Sequence, residues 1–364
     1  MKFTHSLLLL SAVAMLGLAA CDKDDDEIIG PTGTDAISFT VSVPRVTRAV
    51  VDQTTTETID NFSTWAFTGP QSTLLMNNVR VGKEGGQWTY TPLMYWPADG
   101  QKVNFYSISP AYEGWDKPVA IGTVPDIEAY KVAGNVDLLY AVNIGASSAT
   151  PLVNVNFRHA LSNIHFLLKT RDADATQPPL RVEVDRVELL GVNSTGDFAF
   201  PRQTTGSDIA AASKGSWSNI KDPVNVDLYT GAMVNIESKT DAKEYNNHEP
   251  GYSYAMPQEL PASVNTSDTY TGAWVRVRCA VYDEGSGVKF WPSASTPGYD
   301  GDSGYAYIYF PLSDPAHGIT VNTWEVGKAY YYTLNIGVPK GSSTIEFDVT
   351  VDHYDDVTLV PKTK

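Results

Sequence analysis

Residues 37–43 read ISFTVSV, a stretch in which apolar and polar side chains alternate at every position. Successive side chains of a β-strand point to opposite faces of the sheet, so this alternation predicts a half-buried strand. Its buried face would carry Ile37, Phe39, Val41 and Val43. The stretch therefore predicts that the folded part of the chain begins with a β-strand.

The same period of two recurs along the whole chain. It is found at residues 102–108, 181–189, 274–281 and 345–351. Turn sequences such as Ala98-Asp99-Gly100 separate these segments, and only residues 161–168 have a spacing that would also suit a helix. Many short strands joined by turns are typical of antiparallel β-sandwiches.

The length and composition predict two domains. A chain of 364 residues with 42% apolar content is long enough for about two domains, each with its own core. Residues 170–179 contain two aspartates and the Pro178-Pro179 pair, which suit a boundary between sandwiches. We therefore expect an N-terminal domain over 37–172 and a C-terminal domain over 173–364.

The charge argues against a nucleic-acid partner, and the cysteine content argues against a structural disulfide. The net charge is −16 and no stripe of Lys and Arg is present, which argues against a nucleic-acid partner. Cys279 lies on the apolar side of the alternating segment 274–281, so we expect a packed side chain. With Cys21 as the only other cysteine, the mature chain is predicted to have no structural disulfide.

The first residues resemble a bacterial lipoprotein signal peptide. Lys2 and His5 precede an apolar run over 7–20, and residues 18–21, LAAC, match the lipobox in which the cysteine thiol is acylated. We expect a signal peptide over 1–21, lipid on Cys21 and an acidic tether over 22–36. The tether also resembles the surface-export signal of some Gram-negative anaerobes, which predicts an outer membrane lipoprotein exposed on the cell surface.

The common signatures of enzymes are missing from the sequence. It has no Walker loop, Rossmann fingerprint, zinc-protease helix or nucleophile elbow, so no catalytic residue, cofactor or metal is predicted. Residues 300–304, DGDSG, have spaced carboxylates, but a calcium loop would need a glutamate where Pro311 stands. The histidines are scattered, and we expect satisfied or exposed side chains rather than a general base.

The aromatic residues leave one alternative function open. The chain has 8 Trp and 20 Tyr, and exposed rings on one face of a sandwich stack on sugars. Because most of these residues fall within strand patterns, packing in cores and hairpins is the favoured interpretation. The alternative function is a surface glycan-binding lipoprotein.

A series of short stretches carries a likeness to a known family. In chain order they are the lipobox at Cys21, VTRA at 46–49, WTY at 88–90, YWP at 95–97, VNFYSISP at 103–110, VDLLYA at 136–141, FRHALSNI at 157–164, MPQ at 256–258 and WEVGKAYYY at 324–332. In this order and spacing they resemble the fimbrillin family, the subunits of type V pili of Gram-negative anaerobes. The likeness covers most of the chain.

The resemblance implies both a fold and a mode of assembly. The implied fold is all-β, with two tandem transthyretin-like, Greek-key β-sandwich domains, and the implied function is a structural or adhesive pilus subunit, not an enzyme. An arginine-specific surface protease would remove the first strand after export. A strand from another pilus subunit would then fill the groove by donor-strand exchange, a form of β-augmentation.

The processing site and the donor strand can be assigned to candidate residues. We favour cleavage between Arg48 and Ala49, beyond the alternating strand and before a Thr-rich stretch, with Arg45 as the alternative. The candidate donor is the C-terminal segment, in which Ile345, Phe347, Val349 and Val351 alternate and Val357, Leu359 and Val360 follow. Because His353 and Asp355 interrupt the apolar face, a second interpretation stays open, in which residues 345–351 are an ordinary last strand and residues 357–364 are the exchanged tail. Whether the subunit belongs to the stalk, the tip or the anchor of a pilus stays open.

Overall fold

A computed structural model describes the backbone of residues 36–42, 58–68, 73–111, 126–170, 178–202, 214–237, 241–245, 254–314, 319, 321–338 and 347–353. In these ranges the chain forms 23 strands, β1 to β23, and no helix. Accordingly, none of the described residues belongs to a helix able to cross a membrane. The predicted all-β class is confirmed.

The N-terminal sandwich is built on a six-stranded antiparallel sheet. The strands, in spatial order, are β4 (Gln87–Thr89), β3 (Thr73–Glu84), β2 (Asn61–Thr68), β5 (Val103–Ser109), β7 (Leu139–Ala146) and β9 (Arg158–His159). A separate two-stranded sheet contains β1 (Ser38–Ser42) and β8 (Leu152–Asn156), which run parallel. The inward side chains of both sheets form one apolar core.

The C-terminal sandwich packs a five-stranded sheet against a six-stranded sheet. The first contains β13 (Lys243–Glu244), β10 (Ser162–Thr170), β22 (Lys328–Ile336) and β23 (Phe347–His353) in that order, with β14 (Tyr254–Ala255) also paired to β10. The second contains β12 (Ser216–Glu237), β11 (Leu180–Ala199), β18 (Trp274–Asp283) and β19 (Lys289–Trp291), with β20 (Ala306–Pro311) on β18 and β6 (Asp126–Lys131) on β11. Their core includes Phe166, Tyr332, Val277 and Phe310.

Two small antiparallel pairs complete the described strands. They are β15 (Gln258–Glu259) with β21 (Thr323–Trp324), and β16 (Val264–Thr266) with β17 (Thr269–Thr271). The strands foreseen at 102–108, 181–189, 274–281 and 345–351 correspond to β5, β11, β18 and β23. Period-two alternation therefore located one strand of the six-stranded N-terminal sheet and three strands of the C-terminal sandwich.

The segment for which the sequence allowed a helix is strand β10. Its residues Ile164, Phe166 and Leu168 enter the C-terminal core at every second position, which is the period of a strand. β10 runs parallel to β22, as β1 does to β8, so the sandwiches are not purely antiparallel. The domain limits 37–172 and 173–364 stay a prediction, although β10 already pairs within the C-terminal sheet.

A third apolar cluster joins the two sandwiches. Trp65 and Tyr140 of the N-terminal sheet lie in one cluster with Phe198 and Trp217 of the long β11–β12 hairpin. The ring centroids of Tyr140 and Phe198 are 5.0 Å apart. The Trp217 indole N–H donates a hydrogen bond of 2.7 Å to the carbonyl oxygen of Ala160. One face of the N-terminal sheet therefore packs against the C-terminal sandwich. The side chains of its other face pack against those of β1 in the N-terminal core.

Candidate functional site

The first strand is buried along one face, as its alternation predicted. Ile37 is 0% exposed, and Phe39 and Val41 are each 1% exposed. Ser38 and Ser42 on the other face are half-buried, whereas Thr40 on that face is only 4% exposed. The inward face is therefore confirmed for three of its four predicted residues, and Val43 lies outside the described residues.

Phe39 is surrounded by a cage of aromatic rings. Its ring centroid lies 5.6 Å from that of Phe62, 5.7 Å from that of Tyr90 and 5.8 Å from that of Phe105, all in edge-to-face arrangements. Such pairs add about 0.5–1.5 kcal/mol each beyond the area that they bury. The middle of the first strand is therefore held by a pocket that matches one aromatic side chain.

The backbone of β1 is held by β8 along its length and by further hydrogen bonds at Ile37. It pairs in parallel with β8, from Ser38 opposite Leu152 to Ser42 opposite Asn156. On the other side, the Ile37 N–H donates a hydrogen bond of 2.9 Å to the Met94 carbonyl oxygen. The Tyr90 hydroxyl donates one of 2.8 Å to the Ile37 carbonyl oxygen.

The strand β1 is not part of the six-stranded sheet of its domain. The strand belongs to the two-stranded sheet, so its loss breaks no backbone pair of the six-stranded sheet. Its loss would open an apolar groove lined by Phe62, Tyr90, Phe105, Val153 and Val155. Each of the three buried side chains contributes roughly 1.5–3 kcal/mol of burial free energy.

The other predicted site residues lie outside the described part of the chain. This applies to Cys21, to Arg45, Arg48 and Ala49, and to Val357, Leu359 and Val360. The strand before that tail is described: β23 pairs antiparallel with β22 and is the last strand in the order of its sheet. Lipidation, processing and the identity of the donor stay predictions.

The acidic turn at 300–304 is held by hydrogen bonds within the protein. The Asp300 carboxylate accepts a hydrogen bond of 2.7 Å from the Ser303 hydroxyl and one of 3.2 Å from Arg278. The bond from Ser303 is the main reason that the pKa of Asp300 lies below its usual value. Among the residues that the structure describes, no group of three His, Cys, Asp or Glu side chains suits a metal ion.

Two histidines are buried and bound to carboxylates. His159 Nδ1 lies 2.7 Å from the Asp137 carboxylate, and His165 Nδ1 lies 2.9 Å from that of Glu244. His165 also stacks on Tyr331, with ring centroids 4.7 Å apart. These contacts agree with the structural role that the sequence favoured.

Five tryptophans lie in the interior, whereas several tyrosines form an outward row that the sequence analysis missed. The buried tryptophans are Trp65, Trp88, Trp96, Trp274 and Trp324. On the outer face of the six-stranded C-terminal sheet, Tyr307 and Tyr309 alternate along β20, and Tyr305 directly precedes that strand. The signal was present as YAYIY at 305–309, an alternation of tyrosines with small or apolar residues.

Charged groups and a neighbouring ring cover this tyrosine row. The Arg276 guanidinium lies 4.2 Å from the Tyr307 ring centroid, and Tyr270 stacks on Tyr309 at 3.6 Å. Arg276 also donates two hydrogen bonds, of 2.8 and 2.9 Å, to Glu188. Burial raises the pKa of Glu188, but these bonds and the charge of Arg276 outweigh that effect and hold it below its usual value. The tyrosine rings of this row are therefore in contact with side chains of the same sandwich.

Two solved structures of fimbrial proteins are similar to this chain. A crystal structure of a fimbrial protein from Bacteroides vulgatus aligns with 88% of this chain and 99% of its own, at 14% identity and a TM-score of 0.56. A crystal structure of a fimbrilin from Porphyromonas gingivalis aligns with 88% of this chain and 97% of its own, at 12% identity and a TM-score of 0.41. No curated protein sequence matches the chain.

The fold defines a class of protein, and a family model defines the family. The described residues form two all-β sandwiches. The family model described as fimbrillin-like matches residues 47–358, which is most of the chain. The chain belongs to the fimbrillin-like family. As a member of this family it is a fimbrial, cell-surface subunit, and it is not an enzyme.

Proposed function

We propose that this protein is a structural or adhesive subunit of a type V pilus, assembled by donor-strand exchange. It is exported as a precursor with lipid on Cys21, which holds it to the outer membrane at the cell surface. An arginine-specific surface protease then cleaves between Arg48 and Ala49, with Arg45 as the alternative site. The lipid anchor and β1 leave together, and the mature subunit enters the fimbrium.

The observation that carries this proposal is the environment of β1. Its inward side chains Ile37, Phe39 and Val41 are buried in the N-terminal core, yet the strand lies outside the six-stranded sheet. Such a strand contributes buried side chains to the core but no backbone hydrogen bonds to the six-stranded sheet. An equivalent strand could therefore replace it without breaking that sheet. The backbone of β8 would supply main-chain hydrogen bonds, and the pockets would select alternate side chains.

Proteolysis would supply the switch between a closed precursor and an open subunit. While the chain is intact, the link from Ser42 to Thr58 keeps β1 at an effective concentration of roughly millimolar beside its groove. A strand in another subunit cannot compete at ordinary protein concentrations. After cleavage, β1 is a separate fragment that dilutes into the medium once it dissociates, so the groove opens irreversibly.

The test compares the two candidate arginines. The precursor is purified with wild-type sequence and with Arg48→Ala or Arg45→Ala, then treated with an arginine-specific protease. Mass spectrometry gives the new N-terminus, and unheated SDS gels show any polymer ladder. We expect wild type and Arg45→Ala to start at Ala49 and polymerise, and Arg48→Ala to remain monomeric. Polymerisation of Arg48→Ala with a new N-terminus at Val46 would assign processing to Arg45, whereas polymerisation of the uncleaved chain would contradict the processing step.

The alternative of a surface glycan-binding lipoprotein has a separate test. It requires several aromatic rings open on one face, and the tyrosine row on β20 is covered by Arg276 and Tyr270. A glycan array probed with the purified protein distinguishes the two functions. Saccharide binding by a chain that never exchanges strands would favour the alternative.

A further inference from the structure

An open cleft lies on the C-terminal sandwich, beside the apolar cluster that joins the two sandwiches. Its volume is about 350 Å³, and its walls are the start of β12, the pair of β15 and β21, and the two residues after β21. Three of the lining residues, Trp217, Ile220 and Val326, also pack against the joining cluster. Small-molecule sites typically have about 300–1,000 Å³ and often lie at domain junctions. Both the size and the place of this cleft fit such a site.

The indole of Trp217 forms the aromatic part of the lining. Its ring centroid lies 5.1 Å from that of Phe198 and 5.8 Å from that of Tyr130, and its N–H is hydrogen-bonded to the Ala160 carbonyl oxygen. These contacts hold the ring in one place. Because the N–H is already bound within the protein, the indole offers a ligand carbon surface only.

Charged side chains line the same cleft. The carboxylates of Glu259 and Glu325 are hydrogen-bond acceptors, and the Lys214 ammonium is a donor. Glu259 is exposed and Lys214 is half-buried. The Glu325 side chain is 56% exposed, and its Oε1 lies 2.6 Å from the Lys328 ammonium. Donors and acceptors therefore stand beside the carbon surface of Trp217.

Hydrogen bonds to the rest of the protein hold the backbone walls of the cleft. On one side, the Glu325 N–H donates a bond of 2.9 Å to the Tyr330 hydroxyl, and the Ser162 hydroxyl donates one of 2.9 Å to the Glu325 carbonyl oxygen. On the other side, the Gly215 N–H donates one of 2.9 Å to the Tyr140 hydroxyl. The walls are thus formed before a ligand arrives, which lowers the entropic cost of binding.

We propose that this cleft binds a neutral saccharide, with a hexose or an N-acetylhexosamine as the bound unit. The C–H face of the sugar ring would lie against the Trp217 indole, and its hydroxyl groups would pair with Glu259, Glu325 and Lys214. A wholly apolar ligand would take water from these charged groups without replacing its hydrogen bonds. The net charge of −16 and the two carboxylates disfavour a sialylated or sulfated sugar. A neutral sugar matches both parts of the lining.

This inference rests on the adhesive part of the proposed function and not on strand exchange. None of the residues that line the cleft belongs to the core around β1. Saccharide binding should therefore be the same before and after removal of that strand. The cleft also differs from the tyrosine row on β20, where Arg276 and Tyr270 cover the rings.

A glycan array tests the ligand class without depending on the folding of a variant. The array displays neutral saccharides that end in galactose, mannose, N-acetylglucosamine or N-acetylgalactosamine, beside sialylated and sulfated ones. It is probed with the wild-type protein before and after cleavage by the arginine-specific protease. We expect equal binding of both forms to at least one neutral saccharide. Binding to none of the neutral saccharides, or only after cleavage, would contradict the proposal and leave strand exchange standing.

Variants test whether the cleft is the binding site. The free monosaccharide that matches the strongest array signal is titrated into each protein, with saturation-transfer NMR as the readout. Glu259→Ala and Trp217→Ala should each weaken binding at least about fivefold. Two controls should change affinity less than about twofold: Glu84→Ala, at an exposed carboxylate on β3, and Tyr309→Ala, in the tyrosine row. Trp217→Ala also loses its contact with Phe198, so Glu259→Ala, at an exposed position, is the decisive variant. Unchanged affinity for Glu259→Ala, or a loss for Tyr309→Ala, would show that the sugar binds elsewhere.

Discussion

Truncation of Phe39 is the perturbation that reports most directly on how firmly the first strand is held. In the uncleaved chain, Phe39→Ala removes a ring that is 1% exposed and that contacts three other rings edge to face. A buried Phe→Ala change costs about 3–5 kcal/mol. Because Phe62 and Phe105 belong to paired strands of the six-stranded sheet, the cavity can close only in part, and we expect a value near the middle, about 4 kcal/mol.

Urea denaturation of the uncleaved protein, followed by tryptophan fluorescence, measures this loss. The matched control is Phe290→Ala, because Phe290 is 41% exposed on β19 and its truncation should change stability by less than about 0.5 kcal/mol. If the N-terminal sandwich unfolds as a separate transition, the loss should appear in that transition alone. A cost for Phe39→Ala no larger than that for Phe290→Ala would refute the view that β1 is a principal part of the N-terminal core.

Three further predictions concern the scaffold. Arg276→Met removes the two hydrogen bonds to Glu188 and should destabilise the C-terminal sandwich by about 1–2 kcal/mol in urea. Because the pKa of Glu188 is lowered in the fold, its ionised carboxylate stabilises the folded protein above the usual pKa of 4.5, and this contribution is lost as the pH falls below that value. Arg276→Met should weaken this dependence of stability on pH. Gly191→Ala should lower the Tm far more than Gly287→Ala. Both glycines have positive φ, so the backbone strain is similar. An added Cβ at Gly191 would lie 2.0 Å from the Gly272 carbonyl oxygen, whereas an added Cβ at Gly287 would meet open space.

The local part of the fold was predictable, since it depends on the period of the side chains. Alternation located β1 and β18 within a few residues, including the buried position of Cys279. The partners of these strands were not predictable. The parallel pairing of β1 with β8 joins Ser38 to Leu152, and no pattern within either segment encodes so distant a contact.

The strand β10 shows a second limit of sequence reasoning. Its residues Ile164, Leu167 and Leu168 have a spacing that also suits a helix, and the parallel pairing with β22 is what makes it a strand. The cage around Phe39 was similarly hidden, because Phe62, Tyr90 and Phe105 come from separate parts of the chain. The buried face was readable from local sequence, whereas the pocket that selects its side chains required the assembled domain.

The intact mass and N-terminal residue of the subunit isolated from sheared fimbriae test the central claim most directly. The account predicts an unlipidated chain that begins at Ala49 and therefore lacks β1. A fimbrial subunit that begins at Cys21, carries its lipid and retains residues 37–43 would contradict the claim that removal of the first strand opens the groove for assembly.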